Sequence, residues 1–240
     1  MEALELESRK IISLKKEYLL KKERIASRLR EFDLFWQKPH SWHFENNSMV
    51  LKLSSKSHDE TIFEELCFCI LTANTSAEMG MKAIDRIRHL LMNGSTEEMS
   101  KNLEGVYRFN NLRPAYIKHT RDYLQNEFNF ELKKKIESLK NDKEALRDFF
   151  AFNKGIKGLA YKEASHFLRN IGIKGYAILD KHVLNCLHEF NVIEEPIRPS
   201  TRERYREMER KMIIFSNQIG IPMDELDLLF WSRKNGKIMK

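Results

Sequence analysis

Helix breakers are scarce in this chain, with nine glycines and five prolines in 240 residues. Few breakers predict long helices. Cysteine is rarer still, at Cys67, Cys69 and Cys186. An odd, sparse count excludes a disulfide scaffold and points to a reducing compartment. Cys67 and Cys69 stand two apart, which matches neither a zinc ribbon nor an iron–sulfur ligand run. All three are read as small core hydrophobes. Long apolar runs are absent as well. Stretches such as CFCIL at 67–71 are far too short to span a bilayer. The opening MEALELESRK has no apolar core followed by small residues, so no secretory signal is expected. No internal repeat, low-complexity tract or strong strand series is found, and the fold is read as all-α.

What is present is apolar residue and charge. Hydrophobic residues make up 42% of the chain, enough to build one large domain or two small ones. Lys and Arg number 42 against 35 Asp and Glu, a net charge of +7. That excess fits a nucleic-acid partner without singling one out. Charged residues are 32% of the chain, which hints weakly at a heat-adapted source.

Ile11, Leu14, Tyr18, Ile25, Leu29 and Phe32 recur at helical spacing, which predicts amphipathic helix with a solvated basic face. Residues 40–57 break the pattern, and the turn-like ENNS between apolar flanks suggests a small hairpin. Helical spacing resumes at Asp59, with Asn74, Thr75 and Ser76 interrupting it and capping a second helix. Helices are predicted near 113–125 and 141–152. The charged stretch NFELKKKIESLK between them is expected to project into solvent.

The segment FNKGIKGLAYKEASHFLRNIG carries the chemistry. Ala160, Ala164, Phe167, Leu168 and Ile171 mark one helix face, and Lys162, His166 and Arg169 fall on the other. Gly155 and Gly158 precede this helix. Glycines let backbone N–H groups approach a phosphate, and the helix N-terminus adds partial positive charge. On spacing alone, a phosphate-holding hairpin and a plain helix corner are equally supported. Asp180 follows Lys162 by eighteen residues, ahead of the helical KHVLNCLHEF, where an N-cap aspartate also fits.

The string KEASHFLRNIG…AILDKHVL closely resembles the archaeal-type (type-2) 8-oxoguanine DNA glycosylase/AP lyases of the helix-hairpin-helix superfamily. The resemblance runs from about residue 60 to the C-terminus and takes in ELCFCILTAN, RFNNLRPAYI and LDLLFWSRKNGKIMK. Ala160 departs from it, standing where the family hairpin has its second glycine; a methyl group is tolerated there if φ is negative. Residues 1–25 and 40–57 look additional to the compact family members.

The resemblance implies a bifunctional enzyme. Lys162 is the expected nucleophile and Asp180 the group that orients or deprotonates it and stabilises the cationic sugar. Gly155, Gly158 and Ala160 form the hairpin that binds DNA phosphate. Phe109 and Trp231 are expected to sandwich the flipped purine, and Asn74 to enter the vacated stack or touch the opposite base. Lys240 is expected to reach the pocket, its carboxylate meeting the N7–H that guanine lacks. No organic cofactor or metal is implied.

The expected architecture is two helical subdomains flanking a DNA-binding cleft. Residues 1–58 form an N-terminal helix and extension packing with the C-terminal subdomain, 59–150 a central helical subdomain, and 151–240 the helix-hairpin-helix catalytic region and C-terminal helices. The expected partner is double-stranded DNA containing 8-oxoguanine, bound by a monomer in a prokaryotic cytoplasm, nucleoid-associated, with no role for a membrane. The alternatives are a related glycosylase with another lesion preference, a catalytically silent helix-hairpin-helix DNA-binding module, and an all-α scaffold with an incidental basic surface.

Overall fold

The computed structural model describes residues 2–46 and 48–240. The chain is helical apart from one antiparallel hairpin, β1 (His40–Glu45) and β2 (Ser48–Leu53), in register His40 to Leu53 and Glu45 to Ser48. This is the hairpin expected within 40–57. Contacts divide the described chain after Phe32 and after Gly172. These boundaries differ from the 58/59 and 150/151 divisions expected above, because both the hairpin and the helix bearing Lys162 pack onto the central helices.

The unit of residues 33–172 is organised around α2 (His58–Thr72). Every α2 residue from Thr61 to Thr72 is buried. A helix buried on every side belongs inside, and most of these residues are apolar. Each of its fully buried Ile, Leu and Phe side chains contributes about 1.5–3 kcal/mol. A capping box starts it: Ser57 Oγ accepts from Glu60 N–H, and Glu60 Oε2 accepts from Ser57 N–H. Its two buried acids are both bonded. Glu64 pairs with Lys56 and Arg88, and Glu65 accepts from Asn170 Nδ2 at 2.7 Å. Around α2 pack β1, α3 (Ala77–Ile87), α5 (Leu112–Phe128), α6 (Leu132–Leu139) and α8 (Tyr161–Asn170). Helix α4 (Thr96–Leu103) packs on α3 and α5, and α7 (Lys143–Ala151) on α6 and α8.

The stretch expected to project into solvent is α6. Leu132 and Ile136 are fully buried, one turn apart, and Asp59 Oδ1 accepts from Lys133 N–H at 2.6 Å. Two buried apolar residues on one face suffice to dock a short helix whose other positions are mostly charged.

The other unit combines the chain up to Phe32 with Ile173–Lys240. It holds most of α1 (Glu2–Gln37), with α9 (Lys181–Glu189), α10 (Arg202–Ile219) and α11 (Met223–Asn235). Leu14, Tyr18, Ile25 and Phe32 of α1 are buried, the stripe their spacing predicts, and Ile11 and Leu29 flank it half-buried. Phe190 stacks on Phe230 of α11 with ring centroids 5.9 Å apart and meets Phe215 of α10 at 5.6 Å. Tyr18 donates to Glu225 at 2.5 Å, and its phenol is pushed up to about 12, by burial first and then by that carboxylate. All three cysteines are free and buried.

Candidate functional site

The turn between α7 and α8 is shaped by α5 beneath it. Lys157 N–H donates to Thr120 Oγ1 at 3.0 Å, and Asn153 Nδ2 to the Tyr123 hydroxyl at 2.8 Å. Gly155 lies against the Tyr123 ring, where a Cβ would come within 2.2 Å of Cγ. Gly158 has φ +83, and a Cβ there would meet Tyr116 Cδ2 at 2.8 Å and Arg113 Nη1 at 3.1 Å. Both glycines are therefore required by packing, and Gly158 by its left-handed backbone as well.

The turn's own donors are largely occupied. Gly155 N–H donates to Asn153 Oδ1, Ile156 N–H to Asn153 O, and Ala160 N–H to Glu163 Oε2. An anion would therefore meet the N–H groups around Gly158 and Leu159 and the first turn of α8, whose leading N–H groups have no intrahelical acceptor. Ala160 has φ −110, so its methyl group sits in ordinary extended backbone.

Lys162 is the second residue of α8, with a side chain 28% exposed and Nζ 3.1 Å from Glu163 Oε1. Glu163 thus ties the amine to the turn, since its other oxygen accepts from Ala160. His166 is also half-buried. The expected polar face fails at Arg169, which is 6% exposed with Nε on Asn170 Oδ1, and Ala160 is exposed rather than inward. Helix α8 packs on both α7 and α2, and two neighbours bury more than one face.

Asp180 belongs to the other unit. It is the N-cap of α9, with Oδ1 accepting from His182 N–H at 2.8 Å and Val183 N–H at 2.9 Å. Its second oxygen accepts from Trp231 Nε1 at 2.6 Å. Three donors hold one carboxylate, which fixes both its position and its rotation. The stretch leading to it, 173–180, forms no helix or strand, yet four of its N–H groups are taken by side chains of α10 and α11. Gly175 donates to Asp224 at 3.0 Å, Ala177 to Glu209 at 2.8 Å, Ile178 to Asp227 at 3.3 Å and Leu179 to the Tyr205 hydroxyl at 3.1 Å. Tyr205 returns a bond to Ala177 O at 2.7 Å. Glu209 and Asp227 are buried at 4% and 2% exposure.

Trp231 thus serves Asp180 directly, and Lys234 Nζ stands 5.5 Å from its ring centroid. In the first-described unit, Phe109 is half-buried under Arg108 and Arg113, whose guanidinium carbons lie 4.9 and 5.3 Å from its centroid. Asn74 is exposed with φ +63, just past the end of α2, while Ser76 is the residue that caps α3. A left-handed asparagine at that position ends a helix. Arg113 joins these pieces. It donates to Ala73 O at 3.2 Å, sits over Phe109 and Tyr116, and borders Gly158. Lys240 is buried at 3% exposure.

Arg113, Tyr205, Glu209 and Asp227 are residues the sequence reading did not single out. Glu209 sits in RERYREMERK, where each acid reads as solvated surface; no local signal separates it from its neighbours. Among the described residues no cluster of His, Cys, Asp and Glu is arranged to hold a metal ion, and no helix is long and apolar enough to cross a membrane.

A glycine-bearing turn between two helices, followed by an extended stretch that ends in an N-capping aspartate, defines a helix-hairpin-helix protein on a mostly helical frame. The family model described as 8-oxoguanine DNA glycosylase matches residues 44–221. The chain belongs to that family. It is 38% identical over 187 residues to the 8-oxoguanine DNA glycosylase/AP lyase of Methanocaldococcus jannaschii, covering 78% of this chain and 86% of that one. The protein of the same name from Fusobacterium nucleatum is 36% identical over 204 residues, covering 83% and 92%. Among solved structures, the fold is similar to that of the M. jannaschii 8-oxoguanine glycosylase/lyase in complex with a 15mer DNA containing 8-oxoguanine. The TM-score is 0.76 at 35% identity, over 95% of this chain and 100% of that one. The Thermotoga maritima 8-oxoguanine DNA glycosylase gives 0.78 at 28% identity, over 98% and 100%.

Proposed function

We propose that this protein excises 8-oxoguanine from double-stranded DNA and then cleaves the strand at the abasic site. The observation that carries the reading is kinship: relatives 36–38% identical over most of both chains bear the name 8-oxoguanine DNA glycosylase/AP lyase.

Lys162 is the nucleophile in this reading. Its neutral amine attacks C1′ as the N-glycosidic bond breaks, and the base leaves with the bonding electrons and gains a proton. The sugar ring opens and the amine nitrogen becomes a Schiff base. Loss of a proton from C2′ then expels the 3′ phosphate by β-elimination. Asp180 orients the amine, accepts its proton and faces the positive charge that develops on the sugar. Its three fixed donors support that role, since a carboxylate already held in place needs no reorganisation during the reaction.

The target base is flipped from the stack, with Phe109 and Trp231 as walls and Asn74 at the vacated position. The Lys240 carboxylate accepts from N7–H of the lesion, a proton guanine lacks. The hairpin of Gly155, Gly158 and Ala160, continued by the first turn of α8, holds backbone phosphate. The enzyme works as a monomer on DNA of the nucleoid in a prokaryotic cytoplasm and needs neither cofactor nor metal.

Borohydride trapping on a duplex with a single 8-oxoguanine tests the chemistry. Wild type is expected to give a covalent adduct that Lys162→Gln abolishes, and Asp180→Asn is expected to reduce its rate. An adduct persisting in Lys162→Gln would reassign the nucleophile. Folded, DNA-bound wild type with no adduct would remove the reading.

A further inference from the structure

Helix α1 carries no residue of the proposed reaction, yet its inward face meets the C-terminal stretch at three successive levels. Tyr18 bonds Glu225 in the first turn of α11, Lys21 Nζ donates to Ser232 Oγ at 2.9 Å, and Arg28 Nη2 donates to Ile238 O at 3.3 Å. Residue numbers rise together on both sides, so α1 runs alongside α11 and continues past its end. The Arg28 side chain is 11% exposed, and Nη1 pairs with Glu31 Oε2 at 2.6 Å, which orients the guanidinium on its own helix.

The stretch this arginine grips stays buried although it lies beyond the last helix. Here α11 ends at Gly236, φ +71, whose N–H donates to Ser232 O, and yet Ile238 is 8% and Lys240 3% exposed beyond it. From Ile238 to the end is two residues, at most about 7 Å of extended chain. A carbonyl fixed at Ile238 therefore leaves Lys240 little freedom.

We propose that Arg28 is a positioning residue for lesion recognition, setting through the Ile238 carbonyl where Lys240 sits. The proposal rests on the reading of Lys240 as the group that tells 8-oxoguanine from guanine. It gives α1 a task in substrate choice as well as in packing.

The test compares Arg28→Gln, Arg28→Lys, Tyr18→Phe and deletion of Lys240 in the full chain. Two single-turnover rates are read for each: excision of 8-oxoguanine, and strand cleavage at a preformed abasic site, which has no base to recognise. Arg28→Gln is expected to slow excision about tenfold, the scale of one charged hydrogen bond, and to keep abasic cleavage within about twofold. Tyr18→Phe loses another contact between α1 and α11. It is expected to lower the melting temperature and leave the ratio of the two rates unchanged. Arg28→Lys replaces the planar fork by a point donor and is expected to fall between wild type and Arg28→Gln.

An Arg28→Gln ratio equal to that of wild type, beside a lowered ratio on Lys240 deletion, overturns the role of Arg28 and leaves that of Lys240 standing. An unchanged ratio on Lys240 deletion overturns both. Equal losses of the two rates in Arg28→Gln and Tyr18→Phe would show a purely structural contact and overturn the proposal. If Arg28→Gln does not fold, Arg28→Lys keeps the test decisive, because an unchanged ratio there overturns it too.

Discussion

Three glycine-to-alanine changes separate backbone strain from packing, two at the turn between α7 and α8 and one, as reference, at the end of α10. Gly220, the C-cap of α10, has φ +71 and no atom within 4 Å of a built Cβ. Alanine there meets strain alone, about 1–2 kcal/mol. Gly155 is not among the positive-φ glycines, but its Cβ would lie 2.2 Å from the Tyr123 ring. The atoms met are Cγ and the two Cδ carbons, which cannot swing aside as a chain end would. Overpacking of this kind costs about 1–3 kcal/mol. Gly158 combines both terms, φ +83 and a Cβ 2.8 Å from Tyr116, for about 2–5 kcal/mol. At about 2–4 °C per kcal/mol, Gly158→Ala should lower the melting temperature by about 4–20 °C and Gly220→Ala by about 2–8 °C. Urea unfolding followed by circular dichroism measures the stabilities, and duplex titration at a temperature where all variants are folded measures binding. Gly155→Ala and Gly158→Ala should also weaken DNA binding, because the turn has to lift from α5; Gly220→Ala should not. Adding Tyr123→Leu to Gly155→Ala should recover stability. The reasoning is refuted if Gly155→Ala binds DNA like wild type and unfolds no earlier than Gly220→Ala.

The remaining expectations concern the aspartate and the acid limb. Asp227→Ala removes the buried acceptor of Ile178 N–H and should cost about 1–3 kcal/mol; it should also slow borohydride trapping more than it weakens DNA binding, and equal effects would deny it a role in placing Asp180. Trp231→Phe keeps an aromatic ring but removes the 2.6 Å bond to Asp180, so trapping should slow about tenfold while folding is retained. Burial holds the imidazole of His58 below its usual 6.5, against the opposing pull of its bond to the Phe35 carbonyl, with Lys133 beside it. The native state resists protonation there, so the unfolded chain takes up the proton first. The stability this provides is complete above pH 6.5 and declines as pH falls from there toward the depressed native value. His58→Gln should flatten that decline in urea midpoints measured across it, and only in part, because burial depresses His43 in the same direction.

Much of the fold was legible in one dimension. The stripe of Leu14, Tyr18, Ile25 and Phe32 follows from helical period, the ENNS hairpin from turn chemistry, and α2 from its caps and apolar content. The charged α6 was misread because its two buried residues, Leu132 and Ile136, with one further leucine, give little periodicity over eight positions. Their burial is visible only when α2 and α7 are in place.

The site divides in the same way. Sequence by itself determined Lys162 behind a glycine turn and Asp180 ahead of a helix, since helix starts and left-handed turns are local preferences of a few adjacent residues. Only the tertiary structure decided what holds them. Gly155 proved to be an imprint of the Tyr123 ring. Glu209, Asp227 and Tyr205 became backbone acceptors and donors in place of a sheet, Trp231 a donor to Asp180, and Arg28 a donor to the Ile238 carbonyl. Each of those pairings joins residues thirty to more than two hundred positions apart, apart from the close pairs that involve Tyr205. A hydrogen bond between side chain and backbone leaves no period in the sequence, so only the folded chain reveals which acid is solvated and which one holds the stretch leading to Asp180 in place.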